Sequence, residues 1–145
     1  MRFQYRFIFF ILIGFLVFSC KETLIEKVED VYEDGAPKLI RFYKAKDDKK
    51  ILVKEKALYP DGKVQLEGGY KDDMRDGLWT FYYENGKKWS EASYKNGEYN
   101  GASTTWFENG QKRYEGFYAN GNKTGQWKFW DESGKLVKEV DFSDK

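Results

Sequence analysis

Glu67, Glu91, Glu115 and Glu139 recur at a fixed interval of 24 residues. Carboxylates aligned in this way are the side chains of the chain best placed for chemistry, because a ladder of them can hold a cation and a pair can serve as acid and base in glycoside hydrolysis. The rest of the catalytic inventory is thin. There is no histidine, so the commonest general base and metal ligand is missing, and the single cysteine, Cys20, lies far from the glutamates in sequence. No P-loop, GxSxG elbow or HExxH motif occurs. The glycines at 97, 101, 121 and 125 join runs that read as strands, without the helix N-terminus that cradles a phosphate. The sequence therefore predicts no enzyme, no metal and no cofactor.

Cys20 carries a different chemistry. Arg2 and Arg6 precede an apolar run of 12 residues, from Phe7 to Phe18, that ends at Ser19 and Cys20. A membrane-spanning helix needs about 20 apolar residues, so this layout predicts a secretory signal rather than a permanent span. A lone cysteine at the cut point cannot make an internal disulfide and is better explained by acylation. Val17-Phe18-Ser19-Cys20 resembles the lipobox of bacterial lipoproteins, although Phe18 stands where a small residue is usual. The resemblance implies a signal peptide over 1–19, a lipidated Cys20 and tether over 20–27, and attachment to a membrane of the bacterial cell envelope. Without Arg2 and Arg6, 23 basic side chains face 24 acidic ones, a formal charge of −1. No basic field favours a nucleic-acid partner.

The elements that position the glutamates follow from the same period. Gly62, Gly86, Gly110 and Gly134 are spaced by 24, as are Gly77, Gly101 and Gly125, and Tyr70, Tyr94 and Tyr118 continue into Phe142. Asn85-Gly86 and Asn109-Gly110 are two-residue hairpin signals of type I′, and Asp61-Gly62 and Ser133-Gly134 occupy equivalent places. Aromatic and β-branched runs flank them at 78–83 and 87–94, and at 102–107 and 111–118. The segments 95–101 and 119–125 read as looser turns, 38–43 and 51–59 as strands, and 28–32 as an edge strand. The expected fold is all-β: an antiparallel meander of repeated β-hairpins over 28–145, preceded by a signal-peptide helix.

A two-residue loop at Asn85-Gly86 sets Tyr82 opposite Trp89, Thr80 opposite Glu91 and Trp79 opposite Ala92. The same register sets Trp106 against Arg113, Thr104 against Glu115, Trp130 against Val137 and Lys128 against Glu139. The glutamates then face Lys56, Thr80, Thr104 and Lys128, partners that neutralise or hydrogen-bond a carboxylate, so the column reads as structural. Trp79 and Trp127 read as core, with an indole lying over Ala92. Trp89 and Trp106 are open to either role, with Arg113 as an exposed cation–π partner. In this register Tyr82, Trp89, Trp106, Arg113 and Trp130 share one face and form the candidate protein-binding surface.

The stretch from Gly77 through Leu78-Trp79-Thr80-Phe81-Tyr82-Tyr83-Glu84-Asn85-Gly86-Lys87 to Lys88 resembles the bacterial variant of the MORN repeat. Gly125-Gln126-Trp127-Lys128-Phe129-Trp130 follows the same signature, whereas Gly101-Ala102-Ser103-Thr104-Thr105-Trp106 lacks the early tryptophan. The region 34–142 resembles the YwqK-like antitoxin family. That resemblance implies a sheet of β-hairpins, no catalysis, and a protein partner of the toxin type. The functional expectation is a membrane-anchored, antitoxin- or immunity-like binding module. The alternative is an envelope structural or glycan-binding lipoprotein that uses exposed aromatic residues.

Overall fold

The computed structural model describes residues 24–143. The expected signal peptide and its helix, and the expected lipidation of Cys20, fall outside these residues. Ten strands follow one another: β1 (Leu24–Val31), β2 (Pro37–Lys46), β3 (Lys49–Leu58), β4 (Val64–Lys71) and β5 (Met74–Tyr82), then β6 (Lys88–Lys95), β7 (Glu98–Trp106), β8 (Lys112–Ala119), β9 (Asn122–Trp130) and β10 (Leu136–Asp141). Each pairs antiparallel with the next in one ten-stranded meander, and the described residues contain no helix. β1 begins earlier than expected. Residues 24–27, read above as tether, pair with β2 from Leu24↔Lys44 to Lys27↔Arg41.

Two kinds of turn alternate along the two edges of the sheet, in the reverse of the expected assignment. At Asn85-Gly86 and Asn109-Gly110 only the glycine has positive φ, 83° and 93°. The Gly86 N–H closes a four-residue turn on the Tyr83 carbonyl at 2.9 Å, and the Tyr83 N–H reaches the Lys87 carbonyl. This is a type I turn followed by a left-handed glycine, a three-residue loop rather than type I′. The Asn85 side chain accepts the Lys87 N–H at 2.9 Å and is satisfied with its own φ negative. The tight two-residue turns lie at the opposite edge instead. Asn96 and Gly97 have φ of 51° and 85°, Asn120 and Gly121 of 49° and 79°, and Asp72 and Asp73 of 51° and 59°, the pattern of type I′.

The longer loop shifts the register by one residue, and a β-bulge a few residues on shifts it back. The breaks fall between Phe81 and Tyr82, between Thr105 and Trp106, and between Leu136 and Lys138, so Trp89, Arg113 and Val137 are the extra residues. Beyond the bulges the expected pairs hold: Trp79↔Ala92, Thr80↔Glu91, Thr104↔Glu115 and Lys128↔Glu139. Near the turns they do not. Tyr82 faces Lys88 rather than Trp89, Trp106 faces Lys112 rather than Arg113, and Trp130 faces Leu136 rather than Val137.

Tyrosines at the loops stitch consecutive hairpins together. Tyr32, Tyr59 and Tyr83 donate their hydroxyls to the carbonyls of Leu58, Tyr82 and Trp106 at 2.7, 2.7 and 2.8 Å. Phe107, next in the column, has no hydroxyl to give.

Trp79 and Trp127 are both 0% exposed although the described residues form no second layer. Each ring lies over a glycine of the preceding strand. A Cβ on Gly68 would stand 2.1 Å from Cδ2 of Trp79, and one on Gly116 would stand 2.3 Å from Cδ2 of Trp127. The indole therefore covers Gly68, and Ala92, paired with Trp79 on the next strand, packs into the same cluster. Bulges next to Gly77 and Gly125 bend β5 and β9, and a cation ahead of each bend lies over the ring: Arg75 at 4.0 Å from Trp79, Lys123 at 4.3 Å from Trp127. Their indole N–H groups bond the carbonyls of Gly69 and Phe117. Gly68→Ala and Gly116→Ala should each cost about 2–3 kcal/mol, as overpacking does. Gly86→Ala should cost about 1 kcal/mol, since its Cβ meets nothing within 4 Å and only φ opposes it. Denaturant unfolding checks this, and equal losses at Gly68 and Gly86 would mean that the ring does not rest on the glycine.

Candidate functional site

The two faces of the sheet have different chemistry. On one, the pairings align Lys56, Glu67, Thr80, Glu91, Thr104, Glu115, Lys128 and Glu139 across eight strands. Lys54 holds Glu67 at 2.8 Å, Lys88 holds Glu91, Lys112 holds Glu115 at 2.6 Å, and Lys128 stands 3.8 Å from Glu139. The hydrogen bond from Lys54 is the largest influence keeping the Glu67 carboxyl below its ordinary range. No group of His, Cys, Asp and Glu able to hold a metal occurs among the described residues. The glutamate column forms lysine pairs along the sheet.

Tyr82, Trp106 and Trp130 lie on this same face. Lys88, opposite Tyr82, reaches over Trp106 at 5.8 Å, and Lys112, opposite Trp106, reaches over Trp130 at 5.8 Å. Each lysine thus serves a glutamate and an indole together. Trp106, Trp130, Gln111 and Lys112 border an open cleft of 440 Å³.

Trp89 and Arg113 are on the other face, so the expected five-residue surface does not exist as one patch. The reason is the bulge: an extra residue breaks the alternation, and Trp89 and Arg113 turn to the side of their C-terminal neighbours Ser90 and Tyr114. Trp89, 44% exposed, packs edge-on against Phe81 at 5.8 Å and near Tyr83. Arg113 lies 5.6 Å over Phe107, not over Trp106.

Both residues border a groove of 510 Å³ on the aromatic face. Its origin is the middle repeat. The flanking repeats place Trp79 and Phe81, and Trp127 and Phe129, where this one places Ser103 and Thr105. Across the strands, Phe81 is followed by Ser90 and Thr105 before Tyr114 restores a ring. The groove adjoins the volume missing at Thr105, whereas Ser103, 5% exposed, does not line it. Thr105 and Ser90 lie in it, Phe81 and Trp89 border one side, and Tyr114 and Arg113 the other. At the end near the two-residue turns stand Arg75, Tyr94 and Tyr99. Thr105 is 3% exposed, and its Oγ1 is the buried side-chain polar atom without a hydrogen-bond partner among the described residues.

Rings join the two tryptophan clusters beside the groove. Tyr94 meets Trp79 edge-on at 6.2 Å and stacks near Tyr99 at 4.5 Å; Tyr99 stacks on Tyr118 at 4.9 Å, and Tyr118 meets Trp127 edge-on at 5.0 Å. Tyr99 occupies the column in which Arg75 and Lys123 cap a tryptophan. Neither Arg75 nor Arg113 pairs with a carboxylate among the described residues. Sequence reasoning found Trp89 and Arg113 but missed Arg75, Tyr94, Tyr99, Thr105 and Tyr114. The available signal was the absence of the early tryptophan in the middle repeat.

Three segments of the chain, residues 75–96, 99–120 and 123–144, match the MORN repeat variant. Each spans one hairpin with a three-residue loop: β5–β6, β7–β8 and β9–β10. The strands from β1 to β4 lie outside these matches. No curated relative matches the chain.

Tyr94, at the end of the groove, is 8% exposed. Burial pushes its hydroxyl up to about 12, Tyr99 adds to the shift, and Arg75 opposes it. Because the folded form holds this proton more tightly than the unfolded chain, whose tyrosines titrate near 10, the stabilisation is complete below pH 10 and is lost as pH rises towards 12. Thermal unfolding should show Tm falling across that window. Tyr94→Phe should flatten the fall by about 2–3 kcal/mol at its upper end; an unchanged slope would contradict the burial of this hydroxyl.

Proposed function

We propose that this chain, with its three matched MORN-variant repeats, is a non-catalytic binding module held on a membrane of the bacterial envelope by lipid on Cys20. Its aromatic face receives a protein ligand, in the manner of an antitoxin or immunity protein. The observation that carries the reading is the contrast between the faces. On the glutamate face, lysines are engaged by carboxylates and indoles of the same chain. On the aromatic face, Trp89 is exposed and Arg113 lacks a carboxylate partner among the described residues. Exposed tryptophan beside arginine is the composition of binding hot spots.

A second reading, an envelope lipoprotein that binds glycan, is favoured by the cleft between Trp106 and Trp130, where Gln111 and Lys112 add polar groups beside two indoles. Two double variants separate these readings. Trp89→Ala with Arg113→Ala should abolish capture of a protein ligand by photo-crosslinking in envelope membranes, with circular dichroism unchanged. Trp106→Ala with Trp130→Ala should leave that capture intact. The reverse pattern would transfer the function to the glutamate face.

The anchor has its own test. Cys20→Ala should abolish incorporation of a fatty-acid analogue and release the protein from membranes while the sheet stays folded, because the described strands begin at Leu24. Labelling that survives the substitution would rule out lipid at Cys20.

A further inference from the structure

The geometry points to one class of occupant for the groove of the middle repeat: an extended peptide segment of a partner protein, carrying an aromatic side chain with a carboxylate two residues away on each side. This rests on the reading of the chain as a protein-binding module.

The aromatic requirement comes from the repeat itself. In the flanking repeats a tryptophan and a phenylalanine occupy the columns held here by Ser103 and Thr105, and the neighbouring rings are retained. A groove bordered by Phe81, Trp89, Tyr94 and Tyr114 with small residues between them is shaped for a planar ring from outside. At 510 Å³ it falls within the size of sites that hold one such group and its surroundings. The Thr105 hydroxyl, buried and unpartnered among the described residues, lies beneath the groove.

The charge requirement comes from the two arginines. Arg75 stands towards the edge of the two-residue turns, against Trp79 and Tyr94, and Arg113 towards the edge of the three-residue turns, over Phe107. Both border the groove, which has no carboxylate in its lining. Along β6 it extends from Trp89 to Tyr94. Five strand steps cover about 17 Å, and carboxylates at positions −2 and +2 of an extended peptide are about 13 Å apart at their Cα atoms, with side chains that project to the same side as the central ring. Each carboxylate can then meet a guanidinium, and charge-assisted bonds of this kind are the stronger class.

The test uses the full chain and the peptide acetyl-Glu-Ser-Trp-Ser-Glu-amide. The chain has five tryptophans, whose indole N–H signals are separate reporters in a ¹H–¹⁵N spectrum. The Trp89 signal should shift saturably, and those of Trp106 and Trp130, on the opposite face, should not. Replacing both glutamates of the peptide by glutamine should weaken binding about ten-fold or more, the equivalent of losing one charge-assisted contact. Replacing its tryptophan by leucine should remove the Trp89 response. Arg113→Gln should erase most of the preference for the glutamate peptide over the glutamine peptide. Thr105→Phe, which gives the middle repeat the residue of its neighbours, should abolish binding without lowering Tm.

Equal binding of the glutamate and glutamine peptides by the parent would overturn the charge assignment. Binding that survives Thr105→Phe would overturn the groove as the site, as would a response at Trp106 and Trp130 in place of Trp89. N-acetyltryptophan binding as tightly as the peptide would mean a small aromatic acid is the occupant, not a protein segment. If no peptide binds but crosslinking of a protein ligand still depends on Trp89 and Arg113, this inference fails while the binding-module reading stands. If the peptide binds and the crosslinking is indifferent to those residues, the binding-module reading loses its site.

Discussion

A sheet one layer thick cannot bury a tryptophan between two layers, and the architecture depends on how that constraint is met. Trp79 and Trp127 are sealed within the sheet by a glycine beneath the ring, tyrosine or phenylalanine at its edges and a cation above. Each component comes from a different position of the 24-residue period, so the columns are linked: Gly68 and Gly116 must lack a Cβ because the indole occupies that space, and Arg75 and Lys123 reach the ring because β5 and β9 bend at bulges. A cation over an indole also keeps its charge near water while it covers apolar surface, which suits a sheet whose both faces meet solvent.

Periodicity made the meander, the strands and the cross-strand neighbours of the glutamates legible, because a column that repeats in phase must occupy equivalent places in successive hairpins, but it did not single out Lys54, Lys88 and Lys112, which hold Glu67, Glu91 and Glu115. The cross-strand partners of Glu67, Glu91, Glu115 and Glu139 follow from counting outwards from the turns at Gly62, Gly86, Gly110 and Gly134, provided the net register is right. It was right for a reason the sequence does not display. The three-residue loop at Glu84-Asn85-Gly86 displaces the register by one, and the bulge at Trp89 restores it, so two departures cancel beyond the bulge. Asn-Gly is compatible with both loop types, because asparagine either takes positive φ or caps a backbone N–H two residues on.

The same cancellation concealed the functional faces. Strict alternation assigns Trp89 and Arg113 to the face of Tyr82, Trp106 and Trp130, and the bulge reverses that assignment for the bulged residue of each hairpin. A single displaced residue therefore divides one imagined patch into two surfaces of opposite chemistry. On the glutamate face, ion pairs and cation–π contacts are closed within the chain. On the aromatic face Arg41 is held by Glu55, whereas Arg75 and Arg113 pair with no carboxylate among the described residues.

Regular repeats tend to close their own surfaces, since each column is fitted to the neighbour it meets in the array. Openings then arise where one repeat departs from the rest while its neighbours do not. Ser103 and Thr105 depart by loss of volume, Tyr99 by replacing the cation that caps a tryptophan, and Phe107 by lacking the hydroxyl that latches the preceding hairpins together. These departures fall in one repeat, Thr105 and Tyr99 line its groove, and Arg113 is drawn over Phe107. Loss of two large rings from a thin sheet removes packing that the fold would otherwise use, and the Tyr94–Tyr99–Tyr118 stack maintains continuity between the two tryptophan clusters across the gap. The stacked tyrosines thus let the sheet remain one body while the middle repeat stays open, which separates the residues that hold the fold from those left free to meet a ligand.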